Sequence, residues 1–362
     1  MERRVQHASI IVSSLATVVI VVVLTLVWVV AIALIKGSTP RAPYFQQRVA
    51  FALAVATTAA VLAWTVWSRP QPQVSDLAQV WAGARALLHG ENPYQAVGPG
   101  RTFNWPYPLL YPLTAVLALM PFAWLPLRWV DPLFVAFGFG LFTFAVTRRT
   151  LRTPALVALV SIAALMTLQT SQWSLLLTGA ALLPACGLIL VAKPTIGLAL
   201  FAAFPARRVV IGCAVVLVAS VLVQPQWLID WRATFASAPH VVAPITRLGG
   251  PLLLLALLKW KRADARLLLG MACVPHTTVP YETIPLFLIP RTWLEAWVLW
   301  ALGLVAYIAQ WASGPYPSQE AYWAGGARWI VLVMYLPCLA MVLRRPNEWS
   351  GPAIDDERCE PV

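Results

Sequence analysis

Residues 75–94 read SDLAQVWAGARALLHGENPY. Leu77, Val80, Trp81, Ala84, Leu87 and Leu88 recur at helical spacing, whereas Asp76, Gln79, Arg85 and His89 fall on the other side, the pattern of a helix lying at an interface. Gly90 is placed to end this helix, and Glu91, Asn92 and Tyr94 form the turn that follows. An apolar run precedes the segment, so the carboxylate of Asp76 is expected at a boundary between water and lipid.

The surrounding sequence sets the class. Sixty percent of the 362 residues are apolar, 11% are charged and the mean hydropathy is +0.74, which excludes a soluble globular domain because so few charges cannot cover that much apolar surface. Ala8 to Ile35 contains 28 residues without a charge, longer than the ~20 that cross a bilayer. It reads as a retained helix, and the Arg3-Arg4 start also fits an uncleaved signal-anchor. Further charge-free runs fall at 49–67, 129–147, 154–168, 173–191, 209–228, 249–258, 266–278, 282–291, 293–312 and 328–343. The expected fold is therefore all-α, a polytopic transmembrane helical bundle of about 11 spans. The net charge of +12 fits basic loops on the inner side and anionic lipid rather than nucleic acid. Four of the five cysteines lie in apolar segments and only Cys359 lies in a tail, with neither a disulfide framework nor metal-ligand spacing.

Pro106 to Pro126 is apolar enough to span, yet Pro106, Pro108, Pro112, Pro121 and Pro126 favour a short docked or re-entrant helix. Counted as non-spanning, it places 17 of the 26 Lys and Arg on the inner side and leaves Asp76 outside. An outer loop then runs from Ser68 to Arg128 with two interfacial helices. Ile229–Gly250 and Ser313–Ala327 are outer segments able to complete a cavity over it. Residues 1–345 form one integral membrane domain, and 346–362, with Asp355, Asp356, Glu357 and Glu360, read as a polar, disordered inner tail.

From the residues alone, Asp76 reads equally as the N-cap of its helix and as a general base. The order of four stretches goes further. Ser75-Asp76 with GARALLHGENPY, YPLLYPL at Tyr107–Leu113, LQTSQWSLLL at Leu168–Leu177 and ILVAKPTIGLALF at Ile189–Phe201, followed by Arg207-Arg208, resemble the GT-C glycosyltransferases. The closest likeness is to glycosyltransferase family 87, the polyprenyl-phosphate-mannose-dependent mannosyltransferases. The resemblance covers about 75–210, and beyond 230 it rests on VPHTTVPYE at Val274–Glu282. Pro108-Leu109 stands where many relatives carry two adjacent prolines.

That resemblance implies a GT-C-like bundle in the plasma membrane with its active site on the outer face. It implies inverting transfer of one sugar, mannose, from a polyprenyl phosphate to a lipid or glycan acceptor, with Asp76 as the catalytic base. Membrane lipids, the lipid-linked donor and the acceptor are the expected partners. Donor-phosphate or substrate-binding candidates are Arg85, Arg101, Arg128, Arg247, His276, Glu282, Asn92, Tyr94 and Trp105; Trp81 and Arg232 also lie in the outer segments. For the arginines the competing reading is lipid-headgroup contact, for His276 a packed core histidine, and for Asn92 and Tyr94 simple loop architecture. Lys193, followed by Pro194, reads as a lysine on the inner side that snorkels to the interface or holds a broken helix. The outer loops carry no acidic cluster and the chain no Gly-rich nucleotide motif, so neither a metal nor another cofactor is expected. The rival readings are a lipid or solute transporter and a non-catalytic assembly subunit.

Overall fold

The computed structural model describes residues 44–67, 75–237 and 241–347, and the expected span at 8–35 and all but the first two residues of the expected tail at 346–362 lie outside them. The described chain is mostly helical, with almost no strand. Its α-helices are α1 (Tyr44–Trp67), α2 (Leu77–Leu88), α3 (Pro93–Ala96), α4 (Leu113–Leu119), α5 (Leu127–Val146), α6 (Ile162–Thr170), α7 (Ser174–Ala181) and α8 (Pro194–Ala203). They continue as α9 (Arg207–Val223), α10 (Trp227–Thr234), α11 (Ala263–Cys273), α12 (Trp293–Ala312), α13 (Gln319–Ile330) and α14 (Leu336–Leu343). The only strands among the described residues, β1 (Val97–Gly98) and β2 (Phe103–Asn104), form one short parallel pair.

Among the described residues four helices are long and apolar enough to cross a membrane: Tyr44–Val66, Leu127–Val146, Trp293–Ala312 and Glu320–Leu343. The bent pair α9 and α10, which turn by 96°, makes a fifth if it is one span. The runs at 154–168, 173–191, 249–258, 266–278 and 282–291 are instead assembled from short α-helices and 3-10 turns such as Pro154–Val160, Gly187–Ala192, Gly250–Lys259 and Pro280–Leu288. Proline explains the fragmentation. Pro184, Pro194, Pro251, Pro280 and Pro285 each remove an amide donor and clash with the preceding turn, so a long α-helix is not propagated through them.

The run 173–191 shows the consequence most directly. As a straight helix it would separate its ends by about 28 Å. Lys193, just past its end, instead places Nζ 3.3 Å from Oε1 of Gln172, just before its start. The chain therefore folds back between them, and the expected separation of an outer Asp76 from an inner Lys193 is corrected: the two share Gln172 as a partner.

Around the site the packing is close. α1 lies antiparallel to α5, with Phe45 against Phe144 at one end and Trp64 against Trp129 at the other, their ring centroids 6.0 and 4.5 Å apart. α7 approaches α5 so closely that a Cβ on Gly179 would stand 2.8 Å from the backbone nitrogen of Phe142, a contact only glycine permits. Met120–Phe122 extends α4 by one 3-10 turn to ten residues, too short to cross the hydrocarbon core. α13 runs into α14 through a π-turn at Val331–Tyr335.

A charged cluster ties the far end of the bundle. Arg262 chelates Asp264 with bonds of 3.0 and 2.6 Å, and Arg345 bridges Asp264 at 2.7 Å to Glu295 at 2.8 Å. Burial alone would raise the Asp264 carboxyl, but hydrogen bonds and charge from Arg262 and Arg345 outweigh it and hold the group below its usual value. A depressed carboxyl stabilises the fold fully above its unfolded value of about 3.9 and loses that contribution as pH falls through the lower folded value. The melting temperature of the purified protein is thus expected to drop on acidification below about pH 4, and Asp264→Asn to remove that part of the drop.

Candidate active site

Asp76 opens α2 but does not cap it. Its backbone is already helical at φ −64° and ψ −24°, and its side chain makes no capping hydrogen bond. The competing N-cap reading therefore fails, and the carboxylate is turned to other partners. Gln79 Nε2 donates to Oδ1 at 2.7 Å, while Tyr111 Oη and Gln172 Nε2 donate to Oδ2 at 2.9 and 2.8 Å. Three donors thus aim at one half-buried carboxylate.

Each donor is itself placed. α2 is enclosed by protein over most of its surface, so Gln79, expected on the wet side, is buried and points to Asp76. Tyr111 packs on Trp173, which in turn meets Phe134 edge-on with ring centroids 4.9 Å apart. Burial, then the charge of Asp76, keeps the Tyr111 phenol well above its usual value, so it stays a donor. Gln172 follows Ser171, a non-glycine residue at φ 53° in the left-handed region, a conformation that costs about 1–2 kcal/mol and is tolerated where packing enforces it. From the other side Ser75 Oγ donates to buried Asp131 of α5 at 2.7 Å, and the Asp76 amide donates to the carbonyl of Thr170 at 3.1 Å.

The network continues through Lys193. Its ammonium donates to Gln172 Oε1 at 3.3 Å and pairs with Glu282 Oε1 at 2.7 Å. Because lysine only donates, Gln172 must present its oxygen to Lys193 and its amide nitrogen to Asp76. Thr277 Oγ1 also donates to Glu282 Oε1, at 3.2 Å, and Glu282 Oε2 is buried with no partner. Lys193 Nζ lies over the rings of Tyr281 and Tyr111, at 5.4 and 6.0 Å from their centroids. The sequence reading did not single out Gln79, Tyr111, Gln172 or Lys193 as site residues. The available signal was a polar residue inside an apolar run: the last three lie in YPLLYPL, LQTSQWSLLL and ILVAKPTIGLALF.

The other candidates divide. Glu282 belongs to the network. His276 is buried one step away; the Val274 carbonyl 2.8 Å from Nδ1 can only accept, so Nδ1 carries the hydrogen and Nε2 accepts from Tyr335 Oη at 3.1 Å. Both nitrogens are thus engaged, as in a packed histidine. Asn92 caps α3 and donates to Asp230 of α10 at 2.8 Å, which is loop architecture. Tyr94 Oη donates to the Tyr111 carbonyl at 3.2 Å and so supports the site from behind. Trp105 is half-buried and stacks on Phe103. Arg85 lies exposed over the ring of Trp81, Arg101 and Arg128 are exposed, and Arg247 is half-buried; no hydrogen bond or ion pair joins any of the four to Asp76.

Of the three segments expected on the outer side, the second and third each touch the first. Trp231 Nε1 donates to the Leu110 carbonyl at 2.8 Å, and Trp323 faces Tyr107 with ring centroids 6.3 Å apart. Beside the network opens an apolar cavity of about 490 Å³, lined among others by Pro112, Pro194, Phe201, Val209, Leu217 and Trp231. Its walls include Pro112 and Pro194, the residues that immediately follow Tyr111 and Lys193 in the chain. No group of three or more His, Cys, Asp or Glu able to hold a metal is found among the described residues. Comparison with known proteins finds no matching family model, curated protein or solved structure.

Proposed function

We propose that this chain is a membrane glycosyltransferase of GT-C type that moves one sugar, mannose, from a polyprenyl phosphate to a lipid or glycan acceptor on the outer face of the plasma membrane. The observation that carries the reading is Asp76, a carboxylate released from capping and held by three donors, one of which, Tyr111, is followed in the chain by Pro112 in the wall of an apolar cavity of about 490 Å³. In this mechanism the acceptor hydroxyl attacks the anomeric carbon as its proton passes to Asp76. The bond from that carbon to the phosphate oxygen breaks, and its electron pair leaves with the lipid phosphate. Oδ2 already accepts two hydrogen bonds and Oδ1 only one, so the proton arrives at Oδ1. The deprotonated acceptor oxygen enters on one face as the lipid phosphate leaves from the other, and this single displacement inverts the configuration.

Further support comes from the four stretches on which the family likeness rests. They contribute Asp76, Tyr111, Gln172 and Lys193 to one hydrogen-bonded network, although up to 117 positions separate them in the chain. A transporter is the second reading, favoured by the pairing of Lys193 with buried Glu282, since charges at membrane depth also mark ion and substrate paths. The deciding experiment incubates purified protein with polyprenyl-phosphate-[³H]mannose and a membrane lipid extract. Label moved into lipid or glycan supports the transferase. Label that stays on the donor, with mannose and with arabinose or glucose donors alike, favours transport.

A further inference from the structure

Lys193 has three N–H donors and uses two, on Gln172 and Glu282. Its side chain keeps 14% of its surface accessible, against 1% for Glu282, so the lysine is the less enclosed member of the pair. The apolar groove is lined by Val191 and Pro194, two and one positions from Lys193 in the chain. The network around it contains two carboxylates, Asp76 and Glu282, for this one ammonium. Such a site holds its lysine well when empty, since an ammonium buried without a counter-ion is costly. The same carboxylates oppose an arriving anion. None of the arginines Arg85, Arg101, Arg128 or Arg247 is joined to this network, which leaves Lys193 as its cation.

We infer that Lys193 is the residue that receives the phosphate of a lipid lying in the groove, and that Glu282 competes with that phosphate for it. Glu282 thereby sets affinity, limiting how tightly an anionic headgroup is held. The choice of a polyprenyl phosphate as ligand rests on the function proposed above, but binding alone tests the inference. A protein that binds as described and transfers no sugar would refute the transferase and leave this assignment standing.

The test measures binding of polyprenyl phosphate, neutral polyprenol and inorganic phosphate to the full chain, by native mass spectrometry and by ligand-induced thermal stabilisation. Glu282→Gln removes the competing charge and keeps the shape, so polyprenyl phosphate is expected to bind about tenfold tighter than to wild type. Lys193→Met paired with Glu282→Gln removes the cation without stranding a carboxylate, and binding is expected to fall about tenfold or more below wild type. Inorganic phosphate should follow the same order at lower affinity, and polyprenol should be indifferent to both variants. Binding unchanged or weakened by Glu282→Gln would overturn the competition. Polyprenyl phosphate binding unchanged in the double variant, or equal effects on polyprenol, would overturn the assignment of Lys193.

Discussion

Asp76→Asn is expected to lower sugar transfer by about 10²–10⁴-fold, the range lost when a positioned general base is removed, while the protein still folds and still binds lipid phosphate. Folding should survive for a reason visible in the site. Tyr111 and Gln172 both donate to Oδ2, so an asparagine must place its carbonyl oxygen there and its amide nitrogen where Oδ1 stood. That nitrogen would face the Gln79 amide nitrogen, donor against donor. Gln79 Oε1 is buried without a partner, however, so a flip of the Gln79 amide supplies the acceptor. The variant thus keeps the network and loses only the basic oxygen. Transfer and melting temperature, measured on one preparation, separate loss of the base from loss of the fold.

Lys193→Met carries the largest expected effect on stability. Glu282 is only 1% exposed, and its other oxygen has no partner, so removing the ammonium strands a buried carboxylate. Breaking such a pair from one side costs about 3–5 kcal/mol, most of it the price of the charge left behind. Adding Glu282→Gln removes that charge, and the double variant should recover most of the loss. The measurement is thermal unfolding in detergent of the wild type, the two single variants and the double. A double variant as unstable as Lys193→Met alone would mean that lysine packing, rather than the ion pair, holds this region.

Much of the fold was legible because it depends on local pattern. The amphipathic period of 77–88 and the glycine after it gave α2, and α1, α5 and α12 lie where long charge-free runs placed them. Proline in 106–126 foretold the short α4. The about 11 spans did not emerge as long helices, because hydropathy measures how apolar a run is and not whether it doubles back. Lys193 shows the cost: its approach to Gln172 depends on a fold-back between them that hydropathy does not register. Asp76 was visible as an acid at the head of a helix, yet its choice between cap and base turned on backbone angles and on donors from distant parts of the chain. The arginines looked suitable by charge and side, but charge on a surface loop carries no distance to the site.

The proposal that a lone carboxylate drives displacement at the anomeric carbon has a direct stereochemical readout. Purified protein would be given polyprenyl-phosphate-[¹³C]mannose of one anomeric configuration, with a lipid acceptor, and the configuration of the new glycoside read by NMR. The inverted anomer is the expected product. A glycoside of retained configuration would contradict the single-base mechanism, and the absence of any glycoside from a folded, lipid-binding protein would contradict the transferase itself.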